Sequence, residues 1–389
     1  MKTQSKPYSS ITACKAILTT IIPVLVTTFF MGLLNSCNID NSAPATITKI
    51  YTAGYAQSNM PCYWKNDIRI DLSVSPNLYG EARAIQVVED TIYTAGHTSD
   101  NSSILVPCYW INGTRTDLPV LDPDQSGEVH DMQVEGGFIF TIGYTEINNG
   151  ITVPCYWINE RHVNLEVLDP SKFGNAYDMH VVDNIIYTAG YSQNTNGFDV
   201  PCYWINDTLV ILPVAQEGKS GRAHAIYISE NDIYVAGYTI NNFGVRLPCY
   251  WKNGIRTDLP VLDTDKNGEV YALQVLNNTI YMVGYTIDEI DHTDKKQPCY
   301  WINKTHIELP VLDPDHYQIG EALGIYIKED AIYVSGYTQN NGGTNVPCYW
   351  TDHNRIEYDN LVALPILNPI GNAYAIQVVE ENIPEEEAP

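Results

Sequence analysis

Two short columns of side chains carry whatever chemistry this 389-residue chain can do. Seven segments that each open on Gly continue with Glu81, Glu128, Asn175, Arg222, Glu269, Glu321 and Asn372, and two places later with Arg83, His130, Tyr177, His224, Tyr271, Leu323 and Tyr374. Only Ala or Val lies between the two columns. Variation at a constant address on a repeated frame is what a ligand pocket shows. We therefore take Glu81, Arg83, Glu128, His130, Tyr177, Arg222, His224, Glu269, Tyr271 and Glu321 as candidate ligand-binding residues. The competing reading makes them solvated charges and packing aromatics. Two carboxylates can cleave a glycosidic bond, but Glu recurs so often in the first column that any chosen pair is arbitrary. No Gly-x-Ser-x-Gly, phosphate loop or dinucleotide fingerprint is present to support another chemistry. His180, at a different register, reads as a structural histidine.

The frame that must position these columns is a repeat. Pro-Cys-Tyr-Trp occurs seven times and holds all seven tryptophans. Its cysteines, Cys62, Cys108, Cys155, Cys202, Cys249, Cys299 and Cys348, are spaced 46, 47, 47, 47, 50 and 49 residues apart, the period of a four-stranded propeller blade. Each period reads as four short strands, rich in β-branched and aromatic residues and punctuated by Gly, Asn and Asp. The first is the Gly-led segment, the second ends in Tyr-Thr-Ala-Gly or its variants, the third carries Cys-Tyr-Trp, and the fourth is of the Asp-Leu-Pro-Val type. The expected fold is all-β, a seven-bladed β-propeller of four-stranded antiparallel blades.

The order of strands predicts how the ring closes. The first repeat starts at its second strand, near Ile47, and the chain ends on an unpartnered first strand, Gly371 to Val379. The last strand should complete the first blade, leaving no broken blade. The expected divisions are a leader at 1–36, a tether at 37–46, the propeller at 47–379 and an acidic disordered tail at 380–389.

The leader has the marks of export. Lys2, Lys6 and Lys15 precede an uncharged run from Ala16 to Leu34, and Leu34-Asn35-Ser36-Cys37 resembles a bacterial lipobox, which makes Cys37 the expected site of lipidation. A lipid anchor would hold the chain in a bacterial cell envelope, facing the periplasm or the outside. The seven motif cysteines are odd in number and too far apart in neighbouring blades to pair or to share a metal, so they read as small buried apolar residues. The motif tryptophans, Trp64, Trp110, Trp157, Trp204, Trp251, Trp301 and Trp350, recur in every blade and are scaffold rather than sugar platforms.

Loop lengths separate the two faces of the disc. The turns between third and fourth strands are minimal, as at Asn112-Gly113 and Asn253-Gly254, which suits primed hairpins. From the second-strand Gly to the motif Pro the spacing is 7, 11, 11, 11, 11, 14 and 11 residues, and the longest insertion, at 288–297, contains His292. Insertions in repeat proteins collect on the binding face, so residues 288–297 and 313–319 are the expected contact surface. Asp263-Thr-Asp265-Lys-Asn267-Gly268 opens like a calcium loop, but position twelve is Gln274 instead of Glu. Calcium is thus a candidate ligand of Asp263, Asp265 and Asn267; the other reading is an ordinary turn. No other cofactor is expected.

The net charge of −25, or −28 without the leader's lysines, opposes binding to nucleic acid and to anionic headgroups. Membrane attachment then falls to the lipid, and partners fall to proteins with basic patches, glycans or cations. The layout Gly-x-Ala-x-x-Ile, Ile-Tyr-x-Ala-Gly-Tyr-Thr, Cys-Tyr-Trp-Ile-Asn-Gly and Asp-Leu-Pro-Val-Leu resembles bacterial extracellular repeats of the HAF type across residues 47–379. In those, Ala-Phe-Leu-Trp stands where this chain has Cys-Tyr-Trp, and Asp-Leu-Gly where it has Asp-Leu-Pro. The resemblance implies an exported repeat protein and supplies no catalytic residues. The sequence thus points to a monomeric disc that binds a protein or glycan through its long-loop face. A carbohydrate-active enzyme at the channel mouth and a structural envelope component are the alternatives.

Overall fold

The computed structural model describes residues 46–57, 59–74, 78–148, 150–290, 293–314, 319–329, 331–352, 360–366 and 370–382. Cys37 and His292 lie outside them. The described strands form seven separate four-stranded antiparallel sheets, the blades of a β-propeller. Blades 2 to 7 each run through four consecutive strands, over 80–117, 127–164, 174–211, 221–258, 268–308 and 320–363. Blade 1 takes its innermost strand, Gly371–Asn382, from the end of the chain and its other three from 46–71. That closing strand pairs with Thr46–Ala56 from Ala56↔Gly371 to Thr46↔Asn382. It therefore continues past the expected boundary at 379. Glu381, expected in a loose tail, accepts from Tyr51 Oη at 2.9 Å and Lys65 Nζ at 3.0 Å.

Packing between blades explains what the repeat conserves within itself. Each motif Trp is fully buried, and its Nε1 donates to a backbone carbonyl of the preceding blade at 2.7–3.1 Å. The Trp64 bond, to Pro365 O, crosses the closure of the ring. Buried indole N–H groups need such a partner. All seven motif cysteines are buried and free, and burial pushes the Cys62 and Cys249 thiols up to about 12. They pack as small apolar groups in the seven clusters that join neighbouring blades; one such cluster unites Tyr63, Leu72, Ala82, Ile85, Cys108 and Trp110.

Two backbone devices aim the inner strands. Every innermost strand carries a β-bulge at the same place, for instance between Val129 and Asp131. The second-strand Gly packs against that strand: a Cβ on Gly143 would lie 1.9 Å from Glu128 O. No other residue fits there. The tight third-to-fourth turns are primed as expected, with φ of 48° and 80° at Asn112 and Gly113.

The inner strands are also tied side chain to backbone. Gln133 accepts from Val181 N at 2.7 Å and donates to Val181 O at 2.9 Å, and Gln86, Gln274 and Gln377 accept from the following blade in the same way. His180 replaces Gln in blade 4, and its Nδ1 accepts from Ile228 N at 2.7 Å. Its structural reading holds.

Candidate functional site

The bulge places the second column of candidates, Arg83, His130, Tyr177, His224, Tyr271, Leu323 and Tyr374, where successive blades meet at the channel. Several of their side chains meet around the ring. Arg83 lies over Tyr374 at 4.5 Å, and the centroids of His130 and Tyr177, Tyr177 and His224, and His224 and Tyr271 are 5.5, 5.1 and 5.5 Å apart. All seven line two cavities and form a shared wall between them. One, of about 490 Å³, is completed by Arg222, Glu269, Glu321 and Asn372. The other, of about 330 Å³, is completed by residues further along the same strands, including Asp131, Asp178, Gln133 and His180.

The first column behaves differently from its expectation as a free ring of ligand groups. Much of its variation is matched by the neighbouring blade, at the place two residues before the motif Pro. Arg222 meets Asp199 at 2.7 Å, stacks over Tyr191 at 4.4 Å and donates to Tyr177 Oη at 3.2 Å. Glu269 pairs with Arg246, which lies over Tyr238 at 5.1 Å, and accepts from Tyr285 Oη at 2.8 Å. Glu321 pairs with Lys296, which lies over Tyr285 at 4.4 Å. Asn372 accepts from Asn345 at 3.3 Å. The sign of the pair reverses between the blade 4–5 and blade 5–6 interfaces, so each charge is chosen by its partner. Arg222, Glu269 and Glu321 are spent on holding blades together.

Between blades 2 and 3 this lock is absent. The place of Arg246 is taken by Leu105, and the place of its supporting Tyr238 by His97, the one His among six Tyr at that address. Glu128 accepts from Tyr144 Oη at 2.8 Å through Oε1. Its Oε2 stands 3.8 Å from His97 Nδ1 and 3.9 Å from Arg83 Nη2, beyond hydrogen-bond reach of either. Arg83 Nη2 is held instead by Glu81 at 2.7 Å. His97 Nδ1 and Arg83 Nε, both buried, have no hydrogen-bond partner among the described residues. Buried polar atoms without partners are costly and mark places where something other than stability is served.

Electrostatics fixes the protonation in this sector. Burial disfavours the Glu128 carboxylate, but His130, His97 and Arg83 outweigh it and hold the carboxyl below its ordinary value. Burial pushes His130 down to about 4 and lowers His97, against the pull of Glu128 in both. Burial also works against the charge of Arg83, but Tyr374, Glu81 and Glu128 overcome it and raise its pKa. At neutral pH the sector therefore holds the Glu128 carboxylate, the Arg83 guanidinium and two neutral imidazoles.

Below the bulge lies a pair that sequence reading passed over. Asp131 and Asp178 occupy, in blades 3 and 4, an address where the other blades have Ala or Gly. Asp131 accepts from Met179 N at 3.0 Å and Asp178 from Ile226 N at 2.6 Å, each reaching the next blade. Burial raises both pKa values, and the neighbouring Asp131 drives Asp178 further up. A shared proton lets two buried carboxyls sit side by side.

The expected contact loop at 288–297 is instead a hairpin arm. Its strands pair from Tyr281↔Ile302 through Asp288↔Lys295 to Ile290↔Thr293, because alternating residues prolong the blade 6 ladder past its neighbours. Lys266 holds it near its tip, through Glu289 at 2.9 Å and Asp294 at 2.6 Å. Of residues 313–319, only Asp313, Pro314 and Ile319 are described. At the possible calcium loop, Asp263 accepts from Asp265 N at 2.9 Å and Asn267 from Arg246 N at 2.8 Å, the contacts of a turn. The same turn occurs at Asp122, which accepts from Asp124 N at 3.1 Å. Among the described residues, no three His, Cys, Asp or Glu side chains group closely enough to hold a metal.

No family model and no curated protein matches the chain, so the HAF-type resemblance remains one of layout. Solved structures are similar in part. An ulvan polysaccharide lyase bound to -[GlcA(1-4)Rha3S]- matches at 12% identity and a TM-score of 0.46, over 80% of this chain and 85% of that one. The computationally designed Ika8 protein matches at 14% and 0.44 over 84% and 87%, and AztD from Citrobacter koseri at 11% and 0.38 over 86% and 98%. Likeness this distant says nothing of activity or ligand.

Proposed function

We propose that this chain is an exported, lipid-anchored β-propeller that works as a binding module, taking a protein or glycan ligand on the face that carries the channel mouth. The observation that supports this reading is the 490 Å³ cavity among polar side chains at that mouth, on the face from which the blade 6 hairpin arm extends. A cavity of this size, walled by Tyr, His, Arg and Glu, suits a ligand held by a few placed polar groups. The neighbouring Asp-rich turns, with the net charge of −25, favour neutral or basic partners over acidic ones.

Anchoring rests on Cys37, and binding rests on the mouth face; the two are tested separately. Full-length chain with Cys37→Ser should leave the membrane fraction yet still capture its partner from envelope extracts. Deleting residues 288–295 should keep the chain on the membrane and reduce capture. Capture that survives this deletion and also survives Arg222→Ala with Tyr271→Ala would remove the mouth face from consideration.

A further inference from the structure

Resting on that reading, we propose that the unlocked interface between blades 2 and 3 is a subsite for the hydroxyl groups of a neutral sugar unit. At the 5–6 and 6–7 interfaces a cation of one blade joins the first-column acid of the next and lies over a Tyr ring, as Arg246, Glu269 and Tyr238 show. At the 2–3 interface, Leu105 and His97 withhold the cation and the ring from Glu128. Two buried nitrogens beside it, Arg83 Nε and His97 Nδ1, have no hydrogen-bond partner among the described residues. Arg83 and His130 also line the 490 Å³ cavity, so this interface adjoins space that a ligand can enter.

The arrangement of donors and acceptor selects the ligand chemistry. Glu128 Oε2 lies 3.8 and 3.9 Å from its two basic neighbours. A bridging group must donate to the carboxylate and accept from the guanidinium or imidazole. A hydroxyl is the smallest ligand group that does both. Two acids, Glu81 and Glu128, against the single Arg83 disfavour an anionic sugar, and no three His, Cys, Asp or Glu side chains group here among the described residues to hold a metal. Neutral His97 and His130 add no charge that would reverse either preference. Adjacent hydroxyls on an uncharged pyranose meet this pattern, and the ring of Tyr177, His224 and Tyr271 supplies amphipathic wall for its carbon face.

The repeat itself provides the test. His97→Tyr with Leu105→Arg rebuilds in blades 2 and 3 what blades 5 and 6 already have, closing the gap with residues the fold accepts elsewhere. Glu128→Gln keeps the shape and removes the acceptor charge. Full-length chain in detergent micelles is titrated calorimetrically with glucose, galactose, mannose, glucuronate and calcium chloride. The proposal expects at least one neutral hexose to bind, glucuronate to bind at least tenfold more weakly, and both variants to lose at least tenfold in affinity while melting as cooperatively as the wild type. It is overturned if no hexose binds, if glucuronate or calcium is preferred, or if hexose affinity survives in the rebuilt variant. A rebuilt variant that binds no hexose but still captures the envelope partner supports the subsite and places the rest of the partner's contacts elsewhere on the face. A wild type that captures its partner yet binds no hexose overturns the subsite and leaves the binding-module reading standing.

Discussion

The interface between blades 2 and 3 and the interface between blades 5 and 6 are made from the same repeat, with the same bulge, the same Gly and the same buried Trp. At the second, Glu269 is closed in by Arg246 and Tyr285. At the first, Glu128 keeps its Tyr144 but has neither the arginine nor the ring behind it. Around the acid, Leu105 stands for Arg246 and His97 for Tyr238, while the second column has Arg83 and His130 where blades 5 and 6 have His224 and Tyr271. The backbone does not require the gap, because the same backbone is sealed three blades away. A repeat protein thus carries its own control: what all blades share answers to packing, and what one blade omits is free to answer to a ligand.

The largest perturbation destroys the comparison altogether. Deleting residues 371–389 removes the inner strand of blade 1, with the contacts of Ile376 and Val378 and the Gln377 tie to Val87. Both interfaces depend on a closed ring, so this chain should lose cooperative melting by circular dichroism, whereas deleting only 383–389 should leave the transition in place.

Opening the sealed interface comes next. Tyr238→His with Arg246→Leu copies the 2–3 interface into blades 5 and 6 and strands Glu269, which is 4% exposed. Removing one partner of a fully buried pair costs roughly 3–5 kcal/mol; Arg246 is half exposed, so the cost should be about 2 kcal/mol, read by chemical denaturation. An unchanged midpoint would show that the pair contributes packing without charge stabilisation.

A smaller effect sharpens the comparison through pH. Burial and the neighbouring Asp131 raise the Asp178 pKa on folding, so its contribution is complete at acidic pH and is lost as pH rises through the folded value. Asp178→Asn keeps a donor toward Asp131 at every pH. Its melting temperature should exceed that of the wild type at pH 8, and the gap should shrink toward pH 4. A constant difference across that range would mean that no proton is shared.

Much of this was legible in the chain. Six spacings of 46 to 50 residues, seven tryptophans and a missing first strand at one end specify a closed ring, because short alternating segments at nearly fixed intervals have few other ways to bury a face. Asn112-Gly113 named its turn, and His180 could be assigned because it stands where Gln86, Gln133, Gln274 and Gln377 do. The mouth was harder. Read one address at a time, Glu81 to Asn372 looks like a variable pocket; read in pairs with the residue two places before each motif Pro, Asp199 with Arg222 and Arg246 with Glu269 are locks. That coupling is a property of spatial neighbours in different blades, and it emerges only when the repeats are stacked in register. His97 among six tyrosines and Asp131 with Asp178 among alanines were the available signals. The arm at 288–297 reads as a loop because its polar, charged residues carry little strand propensity; their pairing comes from the ladder they extend.

The central claim is that stability has been withheld at one interface for the sake of a ligand. The most direct measurement is the melting temperature of His97→Tyr with Leu105→Arg, free of any sugar. The account predicts a rise of about 2 °C, since a part-exposed ion pair contributes up to about 1 kcal/mol and that shifts a domain of this size by roughly that much. A fall in melting temperature would contradict it, showing that Leu105 and His97 are already the best fit for their place.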